Sequence, residues 1–162
     1  MKKIFLLIFM FFAFQAVQAA VLEAGVSVEE IPEAFFGSWR VRATLENTNS
    51  YSTFKPQSMD FWNLSKVGDR VVLDNPFSGA NAEISVQTIE GNLVVFSKKL
   101  PYDGNKVLTD TVTLRLGENE FSGINSLTLE SYSLVDNHLM KTETAIYQIK
   151  GEKIAGESII KE

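Results

Sequence analysis

From Trp39 the chain alternates apolar and polar side chains without a break. Trp39, Val41, Ala43 and Leu45 fall on one side, Arg40, Arg42, Thr44 and Glu46 on the other. A period of two marks a strand with one apolar face. The pattern recurs and predicts strands over about 38–46, 57–65, 70–73, 82–89, 93–100, 106–116, 121–134 and 138–149, with a short ninth over 153–160. In the fourth, Ala82, Ile84 and Val86 should face inward. In the sixth, Leu108, Val112, Leu114 and Leu116 share a face with Asp110. Around Met59, Phe61, Trp62 and Leu64 the apolar residues occupy both parities, so the facing of that strand stays open. Turn-forming clusters separate the strands: Val67-Gly68-Asp69, Glu90-Gly91-Asn92, Asp103-Gly104, Gly117-Glu118-Asn119, Asp136-Asn137 and Lys150-Gly151-Glu152. Gly123, inside the seventh strand, reads as a bulge or bend. No sustained helical period follows the first twenty residues. The expectation is an all-β fold: a single antiparallel up-and-down β-barrel of about eight to nine strands, with a sandwich as the alternative.

In a meander, alternate connections lie at the same end. The connections at 47–56, 74–81, 101–105 and 135–137 therefore share one rim, and the tight turns share the other. The first set contains the three longest connections and carries Tyr51, Phe54, Phe77 and Tyr102. Trp39, at the start of the first strand, falls at the tight end as a structural plug. Small-ligand sites in barrels lie at the mouth or in the interior. Tyr51, Phe54, Phe77 and Tyr102 are thus the candidate ligand-binding residues, or else they pack the loops. Asp110 joins them as an inward carboxylate near the mouth, where it must meet water, a ligand or a cation such as Lys106.

Residues 1–19 change the compartment. Lys2-Lys3, the apolar run Ile4 to Phe14 and Val17-Gln18-Ala19 have the order of a secretory signal peptide with its cleavage site. The run is shorter than the ~20 apolar residues of a membrane span. Cleavage after Ala19 divides the chain into 1–19, the signal peptide, and 20–162, a single β-barrel domain. It also removes two of 15 basic residues and none of 20 acidic ones, which moves the formal charge from −5 to −7. Such a surface argues against nucleic acid as a partner. An exported, soluble chain is expected, periplasmic or extracellular. An integral outer-membrane barrel is disfavoured because the third strand, about four residues, is shorter than the ~9–11 needed to span. There is no cysteine, so neither disulfides nor thiolate chemistry is open to the chain.

One histidine, His138, and no cysteine make a zinc or copper site improbable. The sequence contains no G-x-S-x-G, no H-E-x-x-H, no phosphate-cradling glycine loop and no dinucleotide fingerprint. No catalytic residue, metal or cofactor is assigned, and a non-enzymatic protein is expected.

Phe35-Phe36-Gly37-Ser38-Trp39-Arg40-Val41 resembles the G-x-W start of lipocalins and fatty-acid-binding proteins, the calycin barrels. In that family the Trp opens the first strand and plugs the closed end of a barrel that holds hydrophobic small molecules. The resemblance implies a barrel here, with Trp39 as the plug. The lipocalin T-D-Y element is not at its expected turn, since Thr109-Asp110-Thr111 lies within a strand. Two functions stand beside each other at this point. One is a non-enzymatic barrel binding a small hydrophobic or amphipathic ligand. The other is a structural or protein-interaction domain of the bacterial envelope with a filled interior, its protein partner unknown.

Overall fold

The structure, a computed structural model, describes residues 25–77 and 79–156. The expected signal peptide and the second half of the expected ninth strand lie outside the described residues. Eight strands run in chain order: β1 (Gly37–Thr48), β2 (Gln57–Val67), β3 (Arg70–Asn75), β4 (Ala80–Glu90), β5 (Leu93–Tyr102), β6 (Lys106–Leu116), β7 (Glu120–Tyr132) and β8 (Leu139–Ala155). Each pairs antiparallel with its neighbours, and β8 returns to β1 to close the barrel. Closure removes the sheet edges that a chain of amphipathic strands would otherwise expose, except where β2 runs past the end of β3.

Two glycine positions differ from expectation. Lys150-Gly151-Glu152 is not a turn: β8 runs straight through it, with Gly151 paired to Val41 on one side and to Phe121 on the other. There is accordingly no separate ninth strand beginning at Lys153. Gly123 is not a bulge either. It sits in unbroken register between Leu114 and Ile149. Both glycines are needed for close approach. A Cβ on Gly123 would collide with the Thr113 carbonyl, and one on Gly151 would enter the Phe121 ring. A sequence reader sees a turn or bend signal where the barrel uses glycine for lack of room.

The closed end is filled by large side chains. Trp39 and Phe35 are fully buried, and the Trp39 indole Nε1–H donates to the Phe35 carbonyl at 3.1 Å. Phe121 lies 5.0 Å from Trp39 and stacks on Trp62 at 5.8 Å, while Phe96 meets Phe35 and Trp62 edge-on. Two single-turn 3-10 helices, Val28–Glu30 and Glu33–Phe35, precede β1 and deliver Ile31 and Phe35 into this cluster. Lys153 reaches back to bond the Ala34 carbonyl at 3.2 Å, its ammonium 5.1 Å from the Trp39 ring centroid. Trp62 and Leu64 are the buried parity of β2, which settles the facing left open by its sequence.

Candidate functional site

Toward the open rim, polar groups join Leu108, Leu127, Leu129 and Ala145 in the interior. Asp110 points inward, as its parity requires, and pairs at 3.3 Å with Lys98, its cross-strand partner on β5. Asn125 on β7 donates to the same carboxylate. The cation beside Asp110 is thus Lys98 and not Lys106. The alternation Val94, Phe96, Lys98 on β5 carried that signal. Asp110 is consequently a satisfied member of the barrel wall.

The connection after β1 folds back over the mouth. Backbone bonds from Thr53 and Phe54 to the Ser50 carbonyl wind residues 50–54 into one turn. Phe54 goes into the core, only 7% exposed, while Tyr51 on the same turn stands 77% exposed. The turn is latched by Glu143 on β8, a buried carboxylate that accepts from Ser50 Oγ at 2.5 Å, Thr53 Oγ1 at 2.7 Å and Lys141 Nζ at 2.9 Å. These bonds, from Ser50 first and then Lys141 and Thr53, hold the Glu143 carboxyl down to about 2. A carboxylate lowered on folding stabilises fully above its ordinary value of 4.5, and that contribution is lost as pH falls toward the folded value. The melting temperature is therefore expected to drop between those two limits. Glu143→Gln should melt lower at neutral pH and show a shallower acid decline; parallel pH profiles would remove the latch.

Phe77 and Tyr102 belong to different surroundings. Tyr102 is half-exposed at the rim end of β5, paired with Lys106. Phe77, 84% exposed, lies across the outer wall and meets Phe61 edge-to-face at 5.4 Å. Its position follows from strand lengths. β2 pairs with β3 only from Asn63 to Val67, because β3 ends at Asn75. The Asp60 carboxylate spans the break, accepting from the Phe61 backbone N–H at 2.8 Å, from Trp62 Nε1 at 3.1 Å and from the Asn75 amide. Asn75 in turn accepts from the Phe77 N–H at 2.9 Å. The result is a lateral hollow of about 520 Å³ lined by Arg40, Met59, Asp60, Phe61, Asn75, Phe77 and Ile154. It has an apolar floor with a guanidinium at one side and an amide–carboxylate pair at the other. Arg40 is shared with Glu152 at 2.6 Å, and this contact keeps the Glu152 carboxyl below its ordinary range.

Of the candidates drawn from the sequence, Phe77 alone lines this hollow. Tyr51 and Tyr102 stand elsewhere on the rim, Phe54 is core, and Asp110 is inside the barrel. Met59, Phe61, Arg40 and Ile154 were not anticipated. They face outward on three different strands, and only the register of β1 with β2 and β8 brings them together. A larger hollow, about 1000 Å³, lies outside the closed end among Arg40, Arg42, Arg115 and Lys150 with Glu118, Glu120 and Glu152. Its walls interleave charges of both signs with Leu116 and Phe121. Among the described residues no group of three or more His, Asp or Glu side chains could hold a metal ion. No described helix is long and apolar enough to cross a membrane.

No family model matches the chain, and no curated protein is significantly similar to it. Among solved structures it is similar to one described as "EF1p2_mFAP2b bound to DFHBI", with 11% identity over 75% of this chain and 94% of that one and a TM-score of 0.42. A likeness of that degree bears on neither the ligand nor the activity of this chain.

Proposed function

We propose that the protein is an exported, non-enzymatic barrel that binds a small amphipathic molecule in the lateral hollow between β2 and the end of β3. The carrying observation is the hollow itself. At about 520 Å³ it falls within the ~300–1,000 Å³ of small-molecule sites, apolar with a few convergent polar groups. Its chemistry favours an apolar body against Met59, Phe61 and Phe77 and an acidic group toward Arg40. Export rests on the signal-like pattern of residues 1–19. A soluble, non-integral state is supported by the outer wall. There Arg40, Arg42, Thr44 and Glu46 of β1 and Glu83, Ser85 and Gln87 of β4 take positions that a lipid-facing barrel fills with apolar side chains.

The test is titration with a straight-chain fatty acid and its methyl ester, read by Trp62 emission, since the Trp62 indole bonds the Asp60 carboxylate at the edge of the hollow. Phe77→Ser should weaken binding of both compounds about tenfold, the loss expected from removing a partly buried aromatic contact. Arg40→Gln should weaken the acid and leave the ester unchanged. Binding indifferent to both substitutions would end this reading.

The second reading, a structural or interaction domain with a filled interior, is favoured by one observation. Phe35, Trp39, Leu64, Phe96 and Leu114 fill the closed half, all essentially inaccessible to solvent. Native mass spectrometry of protein purified from its own envelope separates the two. A co-purifying small mass supports the carrier, and a clean apo mass with no melting shift against a lipid panel supports the structural domain.

A further inference from the structure

The two poles of the barrel differ in what their connections expose. Every open-rim connection, or its flanking strand end, presents a large apolar or aromatic side chain to solvent: Tyr51 after β1, Phe77 after β3, Tyr102 at the end of β5, and Leu134 with Val135 after β7. The last two are the most prominent, 86% and 96% exposed at the far end of the β7–β8 hairpin. The closed-end turns are Gly68-Asp69, Gly91-Asn92 and Gly117-Glu118-Asn119, with no apolar residue among them, and the strand ends there expose Val67 and Ile154 only by about half. The β7–β8 tip is also a built structure. Ser133 N–H donates to the His138 carbonyl at 2.9 Å, Asn137 N–H to the Ser133 carbonyl at 3.1 Å, and Val135 N–H to Ser133 Oγ at 3.2 Å. Asp136 is tied to His138 Nδ1 at 2.6 Å. Leu134 and Val135 are thus held outward by the turn, and little ordering entropy remains to oppose their burial.

We propose that this rim docks on a lipid bilayer surface, with Leu134 and Val135 entering the headgroup–acyl boundary and Tyr51 and Tyr102 resting at headgroup level. The pattern of contacts selects lipid over protein. The apolar points stand on separate loops with polar chain between them, whereas a stable protein interface needs about 800 Å² per partner of continuous, well-packed surface. A fluid bilayer closes around isolated side chains and takes up amphipathic aromatics at its interface. Charges of both signs stand at each pole, Lys55, Lys99 and Lys106 with Asp103 and Asp136 at the rim, so the orientation follows from the apolar tips alone. Lys106 makes no ion pair among the described residues. Docking does not depend on the lateral hollow being a ligand site.

Two single reporters on the full chain test this. Val135→Trp places an indole at the tip, and Asn92→Trp places one in a closed-end turn; Trp39 and Trp62, both buried, are subtracted using the parent protein. With phosphatidylcholine–phosphatidylglycerol vesicles, the residue 135 reporter should shift to the blue and be quenched by brominated acyl chains, while the residue 92 reporter stays unchanged. Because each reading is site-specific, the apolar stretch at residues 4–14 does not contribute to the difference between them. The double substitution Leu134→Ser with Val135→Ser should lower vesicle partitioning about tenfold or more with unchanged far-UV dichroism, from the loss of two inserted aliphatic side chains. A silent reporter at 135, equal quenching at both sites, or a 135 shift seen only with a soluble protein extract would overturn the proposal.

Discussion

Replacing Trp39 by alanine is expected to lower the unfolding free energy by about 3–5 kcal/mol, the range for truncating a fully buried Trp or Phe. The side chain is inaccessible to solvent and makes three kinds of contact at once. Its indole N–H bonds Phe35, its face lies 5.0 Å from the Phe121 ring, and Lys153 approaches it at 5.1 Å. Alanine leaves a void that the barrel cannot easily collapse, because the surrounding strands are fixed by ladder bonds on both sides. It also strips the Phe35 carbonyl of its donor. Trp39→Phe separates these effects: it keeps most of the volume and loses the hydrogen bond, so its cost should be near the ~1 kcal/mol of a typical hydrogen bond plus a small packing loss. Equilibrium urea unfolding measures both. An unchanged midpoint for the alanine variant would show that the plug at the base of the barrel is dispensable.

The barrel was legible because its strands are amphipathic, and because connection length alone assigns loops to rims. Parity correctly placed Trp39, Val41, Ile84, Val86, Val112 and Leu114 inside. Parity failed for β2, where Phe61 and Trp62 are neighbours of opposite face; register with β1 decides between them, pairing Trp39 with Trp62 and Arg40 with Phe61. Gly151 was misread because a glycine between two charged residues has the composition of a turn. Nothing local reveals that a phenylalanine from β7 occupies the space of its missing side chain. The candidate site was legible only through Phe77. The hollow depends on β3 being six residues long while β2 has eleven, and on Ile154 belonging to a strand that continues past its apparent turn. Those are facts of strand pairing, which no single strand carries.

The G-x-W resemblance bears first on the base of the barrel, where Trp39 is fully buried. A barrel that stores an apolar molecule needs an unfilled, apolar interior above its plug. Here the levels above Trp39 hold Trp62 and Phe96, then Asn125 and the Lys98–Asp110 pair beside Leu127 and Ala145, then Glu143 and Leu129 under the turn that carries Phe54. Burying an ion pair is costly unless its remaining valences are met, and Asn125 meets one of them. These groups suit a wall that is satisfied within itself. In the proposed reading, a ligand meets apolar surface outside, where β3 stops early.

Gly123→Ala is expected to be the most damaging of the small substitutions, about 3 kcal/mol or more, because the obstruction is backbone. Its Cβ would press on the Thr113 carbonyl oxygen, with the Thr113 carbonyl carbon at 3.0 Å and Leu114 Cα at 3.1 Å. Relief requires β6 and β7 to separate where Leu114 and Gly123 pair, and a closed barrel transmits that separation to β8 through Ile149. Gly151→Ala provides the contrast. There the three atoms nearest the added methyl all belong to the Phe121 ring, with Cδ1 at 2.6 Å and the other two closer still. The ring is held by Trp39 and Trp62, so overpacking should cost about 1–3 kcal/mol. Trimming the obstruction should recover part of that loss, so the Gly151→Ala/Phe121→Leu double variant is expected to be less destabilised than the two single costs predict. No such trimming exists for Gly123→Ala, since Thr113 cannot give up its carbonyl. A double-mutant cycle by urea unfolding reads the coupling directly. Additive costs for Gly151→Ala and Phe121→Leu would mean that the ring does not occupy the space above Gly151, and the packing at the closed end would have to be redrawn.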